Sequence, residues 1–406
     1  MSIEAILNKA LSQKPQYKYV PEFHPTHGNI RALTLEGEPF DEKNTKIFAY
    51  YGVPEQIEGK VPAMVLIHGG GGHAFHCWVK QWNDRGYAAI AIDTTGFLPK
   101  TVNAGAHEGD GENWEHELNG VFYEEGYVCA PNNDGMKLSG KRIEDHWMLH
   151  AVSAAIRANS FLREQPEIDS QKIGVAGVSW GAVITSILIG YDTRFRFAVP
   201  IYGSGYLSEA LSDIMQVFKT PEVKKLWLAE TRFDEVKIPV LWLAWNDDCC
   251  FSIPSNSKSY QHTRGNHEKT RLSLVNLLMH GHNPAWQREE PFYFADWVVN
   301  NGSMMPDVTD QSAGDRILLQ ITADEDVRIE SATLYYICEP MRYEVIEKYE
   351  TTQRTFMVGQ WNTLPLTLDG NTAKGVLPQD AVGYYHEIVF VCNGKRMVVT
   401  TGYKED

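Results

Sequence analysis

The chain has 406 residues, 43% of them apolar, which is enough for one large domain with its own core and a smaller domain beside it. Its net charge of −15 disfavours nucleic acid or an anionic membrane surface as the main partner. No apolar run approaches the ~18 residues that a membrane span needs. A small-molecule or oligosaccharide substrate fits this composition, and a homo-oligomer stays open.

The N-terminal stretch and the cysteines both favour a reducing, cytoplasmic setting. A secretory signal typically has a basic start, a long apolar segment and an A-x-A cleavage site. The stretch MSIEAILNKALSQKPQ has none of these features. Of the six cysteines only Cys249 and Cys250 are adjacent, so the pattern matches neither a disulfide framework nor paired C-x-x-C metal knuckles.

Predicted strands and helices alternate along most of the chain. Strands are expected on either side of the turn GEPFDEKN and then in VPAMVLI, YAAIAID, KIGVAGV, FAVPIY, IPVLWLAW and RLSLVNLLM. Helices are expected in AFHCWVKQWNDRG, in RIEDHWMLHAVSAAIRANSFLREQ, after Ser179, and in IPSNSKSYQHT and PFYFADWVVN. This order predicts an α/β fold, with a mostly parallel sheet covered by helices on both faces.

Two segments depart from the alternation. Residues 94–145 form a long polar excursion, of the kind that supplies lids and binding loops or contains small elements of its own. Beyond Ser312 the chain turns to short β-rich runs such as RILLQITA, SATLYYICE and KRMVVTTGY. We therefore predict an α/β domain with an N-terminal β extension over residues 1–311, and a small β-sandwich of the immunoglobulin or fibronectin kind over residues 312–406.

The motif Gly177-Val178-Ser179-Trp180-Gly181 lies between a predicted strand and a predicted helix. A nucleophile elbow requires this context, because the turn raises a serine at the C-terminal edge of the sheet. The two glycines would leave room for neighbouring backbone around a residue with unusual backbone angles. A small polar residue in a glycine-rich connection is the alternative, and residues elsewhere in the chain must decide.

A serine hydroxyl needs a base, and the base needs an acid that orients it. One predicted strand ends on Asn246-Asp247-Asp248 and the next on His280-Gly281-His282, which brings both kinds of side chain to the same sheet edge. Asp247 is preferred as the acid because it lies nearer the strand end, with Asp248 as its alternate. His280 is preferred as the base, with His282 supporting it or facing the substrate. A metal site is disfavoured, since the two histidines lack a third ligand at an evident spacing.

The run His68-Gly69-Gly70-Gly71-Gly72 follows the first central strand. Backbone N–H groups of Gly70 or Gly71, together with that of Trp180, are candidates to form an oxyanion hole. A phosphate-binding loop is less well supported, because neither a G-K-[ST] ending nor the G-x-G-x-x-G fingerprint with its acidic partner is present. Tyr202, the last residue of the predicted strand FAVPIY, is a candidate for the pocket wall.

With these motifs the sequence resembles the α/β-hydrolases from about Ile30 to Asn300. It is most similar to the acetyl xylan esterase, cephalosporin-C deacetylase and dienelactone hydrolase-like group, through its HGGGG loop, its GVSWG elbow and the trailing NDD and HGH. The resemblance implies a serine esterase that removes acetyl or other small acyl groups from a sugar or similar small molecule. Ser179, Asp247 and His280 would be catalytic, and no metal or organic cofactor is implied.

Two other functions are consistent with the same motifs. An acylaminoacyl or dipeptidyl serine peptidase would use the same residues, but such enzymes usually carry a propeller before the hydrolase domain, and the N-terminal segment is too short for one. A non-catalytic binding protein could keep the fold and use the β-sandwich as an interaction module. The intact serine, acid, histidine and glycine loop favour an enzyme.

Overall fold

The computed structural model describes residues 2–25, 28–40, 44–70, 72–98, 121–122, 142–207, 220–248, 250–346, 354–358 and 361–405. The strands of the N-terminal part are β1 (Tyr17–Tyr19), β2 (Ile30–Glu36), β3 (Lys46–Gly52), β4 (Val61–Ile67), β5 (Ala88–Ile92), β6 (Phe97–Leu98), β7 (Val121–Phe122), β8 (Ile168–Val178), β9 (Phe197–Ile201), β10 (Leu241–Trp245) and β11 (Arg271–Val275). The helices are α1 (Ile3–Ser12), α2 (His76–Asn83), α3 (Trp147–Arg163), α4 (Trp180–Leu188), α5 (Pro221–Trp227), α6 (Ile253–Asn266), α7 (His282–Trp286) and α8 (Glu290–Val299).

A nine-stranded sheet forms the centre of this part, in the order β1-β2-β3-β5-β4-β8-β9-β10-β11. The pairs from β5 across to β11 are parallel, whereas β1, β2 and β3 join the sheet antiparallel. All residues of β4, β5 and β9 are buried, as expected where helices cover both faces of a parallel sheet. The α/β fold predicted from the alternation of elements is confirmed.

Helices α3 and α4 lie next to the middle of the sheet and are themselves almost wholly buried. Helix α1 packs against α3 and buries Ile3, Ile6, Leu7 and Ala10. Its first turn is capped by the Ser2 hydroxyl, which accepts from the Ala5 N–H at 3.2 Å. The parallel strands all point their C-terminal ends at one edge of the sheet. Loops that follow β4, β8, β10 and β11 therefore meet there.

Antiparallel strands make up the C-terminal part. They are β12 (Asp307–Asp310), β13 (Arg316–Thr322), β14 (Arg328–Ile337), β15 (Arg342–Ile346), β16 (Arg354–Val358), β17 (Asn362–Pro365), β18 (Thr367–Asp369), β19 (Thr372–Val376), β20 (Gly383–Cys392), β21 (Lys395–Thr400) and β22 (Lys404–Glu405). One sheet has the order β12-β13-β19-β18, another has β17-β14-β20-β21 with β22 beside β20, and β15 pairs with β16. The small C-terminal β unit is thus present, and β12 begins slightly before Ser312. The division at Ser312 and the immunoglobulin-like description stay predictions.

The C-terminal strand β21 covers the edge of the central sheet. The Ser273 hydroxyl of β11 donates to the Val398 carbonyl at 2.7 Å, and the Leu274 N–H donates to the Thr400 hydroxyl at 3.3 Å. The Thr400 hydroxyl also donates to the Leu272 carbonyl at 3.3 Å, so Thr400 pairs with two backbone groups of β11 that an uncovered edge strand would expose. The two parts of the chain therefore share a continuous, hydrogen-bonded boundary.

Most of the excursion predicted over residues 94–145 lies outside the described residues. Its role as a lid therefore stays a prediction. Among the helices that the structure does describe, none has both the length and the apolarity to cross a membrane. A cytoplasmic setting stays a prediction.

Candidate active site

Ser179 occupies a tight turn between β8 and α4. Its backbone angles are φ 56° and ψ −116°, a conformation that side-chain-bearing residues rarely adopt. Neighbouring backbone holds it in place, because the Ser179 N–H donates to the Ile201 carbonyl at 2.8 Å and the Ser179 carbonyl accepts from the Ala182 N–H at 2.8 Å. The turn predicted from the glycine-boxed serine is present.

The glycines of the motif are required by space. A Cβ atom at Gly177 would lie 2.1 Å from the Gly181 carbonyl oxygen, and a Cβ atom at Gly181 would lie 2.1 Å from the Ile67 carbonyl oxygen. Both distances are far below van der Waals contact. Strand β4, strand β8 and the start of α4 can therefore approach this closely only with glycine at both positions.

An unbroken chain of hydrogen bonds links Ser179 to His280 and Asp248. The Ser179 Oγ lies 2.8 Å from His280 Nε2, and His280 Nδ1 lies 2.7 Å from Asp248 Oδ2. Asp248 is buried, and its other oxygen accepts from the N–H groups of Cys250 at 2.7 Å and Phe251 at 3.0 Å. An anchored carboxylate on Nδ1 holds the proton there and leaves Nε2 to accept from the serine, which is the arrangement of a general base.

The preference for Asp247 over Asp248 is corrected by this geometry. Strand β10 ends at Trp245, and residues 246 and 247 form a turn that carries the Asp247 side chain away from His280. Its carboxylate accepts from the indole N–H of Trp361 at 3.0 Å instead. Partial burial raises the pKa of Asp247, and the hydrogen bond from Trp361 offsets part of that rise. Nearness to the strand end was the wrong criterion, because the turn decides which carboxylate returns to the sheet edge.

His280 lies beyond a short irregular segment and not directly at a strand end. Strand β11 stops at Val275, because Leu277 and Met279 have left-handed backbone angles of φ 57° and φ 53°. The apolar run RLSLVNLLM reads as one strand up to Met279. The exposed Leu277 and Met279 side chains show that its last part does not belong to the core.

His282 serves the glycine loop (residues 68–72) and not the serine. The Gly69 N–H donates to His282 Nε2 at 2.8 Å, so that nitrogen carries no proton. Burial, followed by the neighbouring His68, His73 and His280, lowers the pKa of His282 to about 3, which keeps the ring neutral at neutral pH. His282, the alternate to His280 in the sequence prediction, thus lies beside the site and supports the glycine loop.

His68 holds the same glycine from its other side. Its Nε2 accepts from the Thr94 N–H at 3.0 Å, so Nδ1 carries the proton and donates to the Gly69 carbonyl at 2.7 Å. His68 and His282 together therefore fix both polar groups of Gly69. From the sequence, His68 is distinguished only as the first residue of the loop.

Of the three predicted oxyanion donors, the structure describes Gly70 and Trp180. A Cβ atom at Gly69 would lie 3.1 Å from the Ser179 Cβ, which shows how closely the glycine loop approaches the serine. Gly70 is exposed, and its N–H donates to no group among the described residues, whereas the Gly72 N–H donates to the Gly69 carbonyl at 3.0 Å. Gly71 lies outside the described residues. Trp180 is the first residue of α4, so its N–H points out of the positive end of that helix.

Two aromatic rings flank the imidazole of His280. Tyr202 lies at 5.0 Å between ring centres, and Phe251 is nearly parallel to the imidazole at 6.0 Å. Both rings are buried, and burial raises the pKa of Tyr202, whose hydroxyl stays protonated. Tyr202 was expected near the pocket. Phe251 was missed, although its position in NDDCCF, three residues after Asp248, could have suggested it.

Within the described chain, one group of side chains has donor atoms close enough to hold a metal ion. Asp248, Cys250 and His280 place one donor atom each within 4.8 Å of one another. Two of the three already bond to each other, and one of them to Ser179, so the group coincides with the serine site and is not a separate centre.

Comparison with known proteins gives partial matches of several kinds. Among solved structures, an acetyl xylan esterase from Paenibacillus sp. R4 is 20% identical with a TM-score of 0.49, over 73% of this chain and 92% of that one. Pyrococcus horikoshii acylaminoacyl peptidase is 15% identical with a TM-score of 0.43, over 73% of this chain and 43% of that one. Among curated proteins, the "Uncharacterized peptidase YuxL" of Bacillus subtilis (strain 168) is 26% identical over 152 residues, which is 36% of this chain and only 18% of that relative.

The match to a protein family is more extensive. The description of that family is "Dienelactone hydrolase family", and the matched residues run from 47 to 288. This range contains the glycine loop, Ser179, Asp248 and His280, and it is more than half of the chain. The chain therefore belongs to the dienelactone hydrolase family.

Proposed function

We propose that the protein is a serine carboxylic-ester hydrolase that removes acetyl or other small acyl groups from a sugar or a similar small molecule. The observation that carries this proposal is the hydrogen-bonded series Ser179, His280 and Asp248 at the C-terminal edge of the sheet. Membership of a hydrolase family supports it. The small acyl group and the sugar come from the resemblance of the HGGGG, GVSWG, NDD and HGH motifs to acetyl esterases.

In the first half-reaction Ser179 becomes acylated. Its Oγ attacks the acyl carbonyl carbon while Nε2 of His280 takes the hydroxyl proton, and Asp248 stabilises the imidazolium through Nδ1–H. The carbonyl π electrons move to oxygen, where N–H groups of Gly70 and Trp180 donate to the developing charge. The tetrahedral intermediate then collapses. The bond to the alcohol breaks, and His280 returns the proton to the leaving oxygen.

In the second half-reaction water releases the acid. His280 takes a proton from water as the water oxygen attacks the acyl carbon, and the same N–H groups stabilise the second oxyanion. The Ser179 ester bond then breaks, and His280 gives the proton back to Oγ. Each step uses only groups of this chain and one water molecule.

A serine peptidase is the second candidate function. The 26% identity to a Bacillus subtilis protein named as a peptidase favours it, although the match spans 18% of that protein. The same serine, histidine and aspartate would cleave an amide as well as an ester, so the substrate must separate the two.

A substrate screen tests the choice. We expect turnover of p-nitrophenyl acetate and of acetylated xylo-oligosaccharides, and little or none of aminoacyl- and acylaminoacyl-p-nitroanilides. The Ser179→Ala variant, purified in parallel, measures any contaminating esterase. Turnover of the anilides alone would replace the esterase proposal by the peptidase.

A further inference from the structure

The C-terminal sheets are fixed against the α/β part close to the site. Besides the contacts of β21 with β11, the Val398 N–H donates to the buried carboxylate of Glu290 at 3.0 Å. The Tyr403 N–H donates to the Ser257 hydroxyl of α6 at 2.8 Å. Because these partners come from α6, α8 and β11, the C-terminal unit is held on three separate elements of the α/β part.

An aromatic cluster in the C-terminal unit, formed by Tyr335, Trp361, Tyr385 and Tyr403, faces the loop that carries the acid. Tyr385 is fully buried and stacks on Tyr335, with ring centres 4.9 Å apart. Trp361 meets Tyr385 edge-on at 5.2 Å and Tyr403 at 6.2 Å. Interlocked rings of this kind leave little freedom to any one member.

Two members of the cluster bond to the residues that precede Asp248. The Asn246 side-chain amide donates to the Tyr385 hydroxyl at 3.2 Å, and both residues are almost wholly inaccessible to solvent. The next residue, Asp247, accepts from the Trp361 indole at 3.0 Å. The acid loop (residues 246–248) thus has two consecutive side chains tied to the C-terminal unit and the third side chain tied to His280.

We infer that Trp361 and Tyr385 are positioning residues for the reaction: by holding Asn246 and Asp247 they fix the turn that presents Asp248 to His280. The inference rests on the proposed function and gives the C-terminal unit a part in it. Asp248 follows the end of β10 by three positions, so the strand alone does not fix its carboxylate. A displacement of ~1 Å in a catalytic group can lower the rate by about 100-fold, so modest loosening of this turn should be measurable.

Two substitutions in the cluster, each of which removes one hydrogen-bond group, test this role in the full-length protein. Tyr385→Phe removes the hydroxyl that accepts from Asn246, and Trp361→Phe replaces the indole by a phenyl ring and so removes the N–H that donates to Asp247. We expect each to lower kcat for p-nitrophenyl acetate by roughly tenfold with KM changed by less than about twofold, since substrate contacts stay in place. Asp247→Asn keeps an oxygen for Trp361 and should retain kcat within about twofold.

Tyr336→Phe is the matched control. Tyr336 is next to Tyr335 in β14 and pairs with Tyr384, so its side chain lies on the face of the sheet opposite the cluster. Rates are expressed per active site, titrated with a p-nitrophenyl phosphonate, which removes any contribution from unfolded protein. If Tyr385→Phe and Trp361→Phe match Tyr336→Phe in kcat per site, or change only the melting temperature, the positioning role is refuted.

Failure of the proposed function can be told apart from failure of this inference. If the wild-type protein hydrolyses no ester of the screen, the esterase proposal fails by itself. The second-order rate at which the phosphonate labels Ser179 then serves as the readout of positioning. A roughly tenfold slower labelling in Tyr385→Phe and Trp361→Phe supports the role, and an unchanged rate contradicts it.

Discussion

Asp248 is held by backbone amides as firmly as by the histidine it faces. One carboxylate oxygen accepts from two consecutive N–H groups, of Cys250 and Phe251, and the other accepts from His280. The chain therefore fixes which oxygen points at the imidazole before any substrate binds. From sequence the pair Asp247-Asp248 could be placed at the sheet edge, but the choice between them depends on a turn whose geometry leaves no mark in the residue types.

Replacing each aspartate by asparagine should separate their roles. In Asp248→Asn the side-chain oxygen can stay on the two backbone amides, which turns the amide NH2 toward His280. Nδ1 must then accept, so Nε2 carries the proton and cannot take one from Ser179. We expect kcat for p-nitrophenyl acetate to fall by roughly 10⁴-fold, and Asp247→Asn to stay within about twofold of wild type.

Melting curves of both variants check that the fold is kept. Equal losses of kcat in Asp248→Asn and Asp247→Asn would contradict the assignment, because only one of the two carboxylates contacts His280.

At the scale of elements, periodicity and glycine spacing predict most of the sheet and its helices. The buried strands around VPAMVLI, YAAIAID and KIGVAGV stand out because both of their faces are apolar, and the elbow glycines stand out because a Cβ atom has no room. The end of β11 was not predictable in this way. Leu277 and Met279 are apolar but sit at left-handed angles in an exposed turn, and apolar side chains at such angles run against the usual preferences.

The glycine loop shows a second limit of prediction from the sequence at the scale of elements. Its place after β4 follows from the sequence, whereas the two histidines that hold Gly69 are 214 positions apart at His68 and His282, as the numbering shows. Such long-range hydrogen bonds depend on the complete sheet order. The sequence motif HGH therefore predicted two histidines at one edge but not that each would have its own task.

At the scale of the whole molecule, the C-terminal unit completes the surroundings of the acid loop. Its strands could be predicted from turn residues and β-branched runs, but their docking on β11 could not, because the contacting hydroxyls of Ser273 and Thr400 are ordinary strand residues in sequence. A buried histidine in this unit, His386, also links stability of the whole chain to pH.

His386 is fully buried, and its ring lies 3.8 Å from Asp310. Burial lowers the pKa of His386 from 6.5 to about 4, against the opposing effect of Asp310. The unfolded chain therefore takes up this proton first as the pH falls. The contribution of neutral His386 to the free energy of unfolding is complete above about pH 6.5 and is lost progressively as the pH falls toward about 4.

Urea unfolding at about pH 7.5 and about pH 5 measures this loss. We expect the free energy of unfolding of wild type to decrease between the two pH values, and His386→Gln to show a smaller decrease. A variant with the same pH dependence as wild type would show that His386 does not carry the effect.

The central claim is that Ser179, activated by His280 and Asp248, is the nucleophile of an ester hydrolase. Release of p-nitrophenol from p-nitrophenyl acetate by wild type and by Ser179→Ala tests it most directly. We expect steady turnover by wild type and a loss of roughly 10⁴-fold to 10⁶-fold in Ser179→Ala with an unchanged fold. Turnover by Ser179→Ala close to the wild-type rate would contradict it.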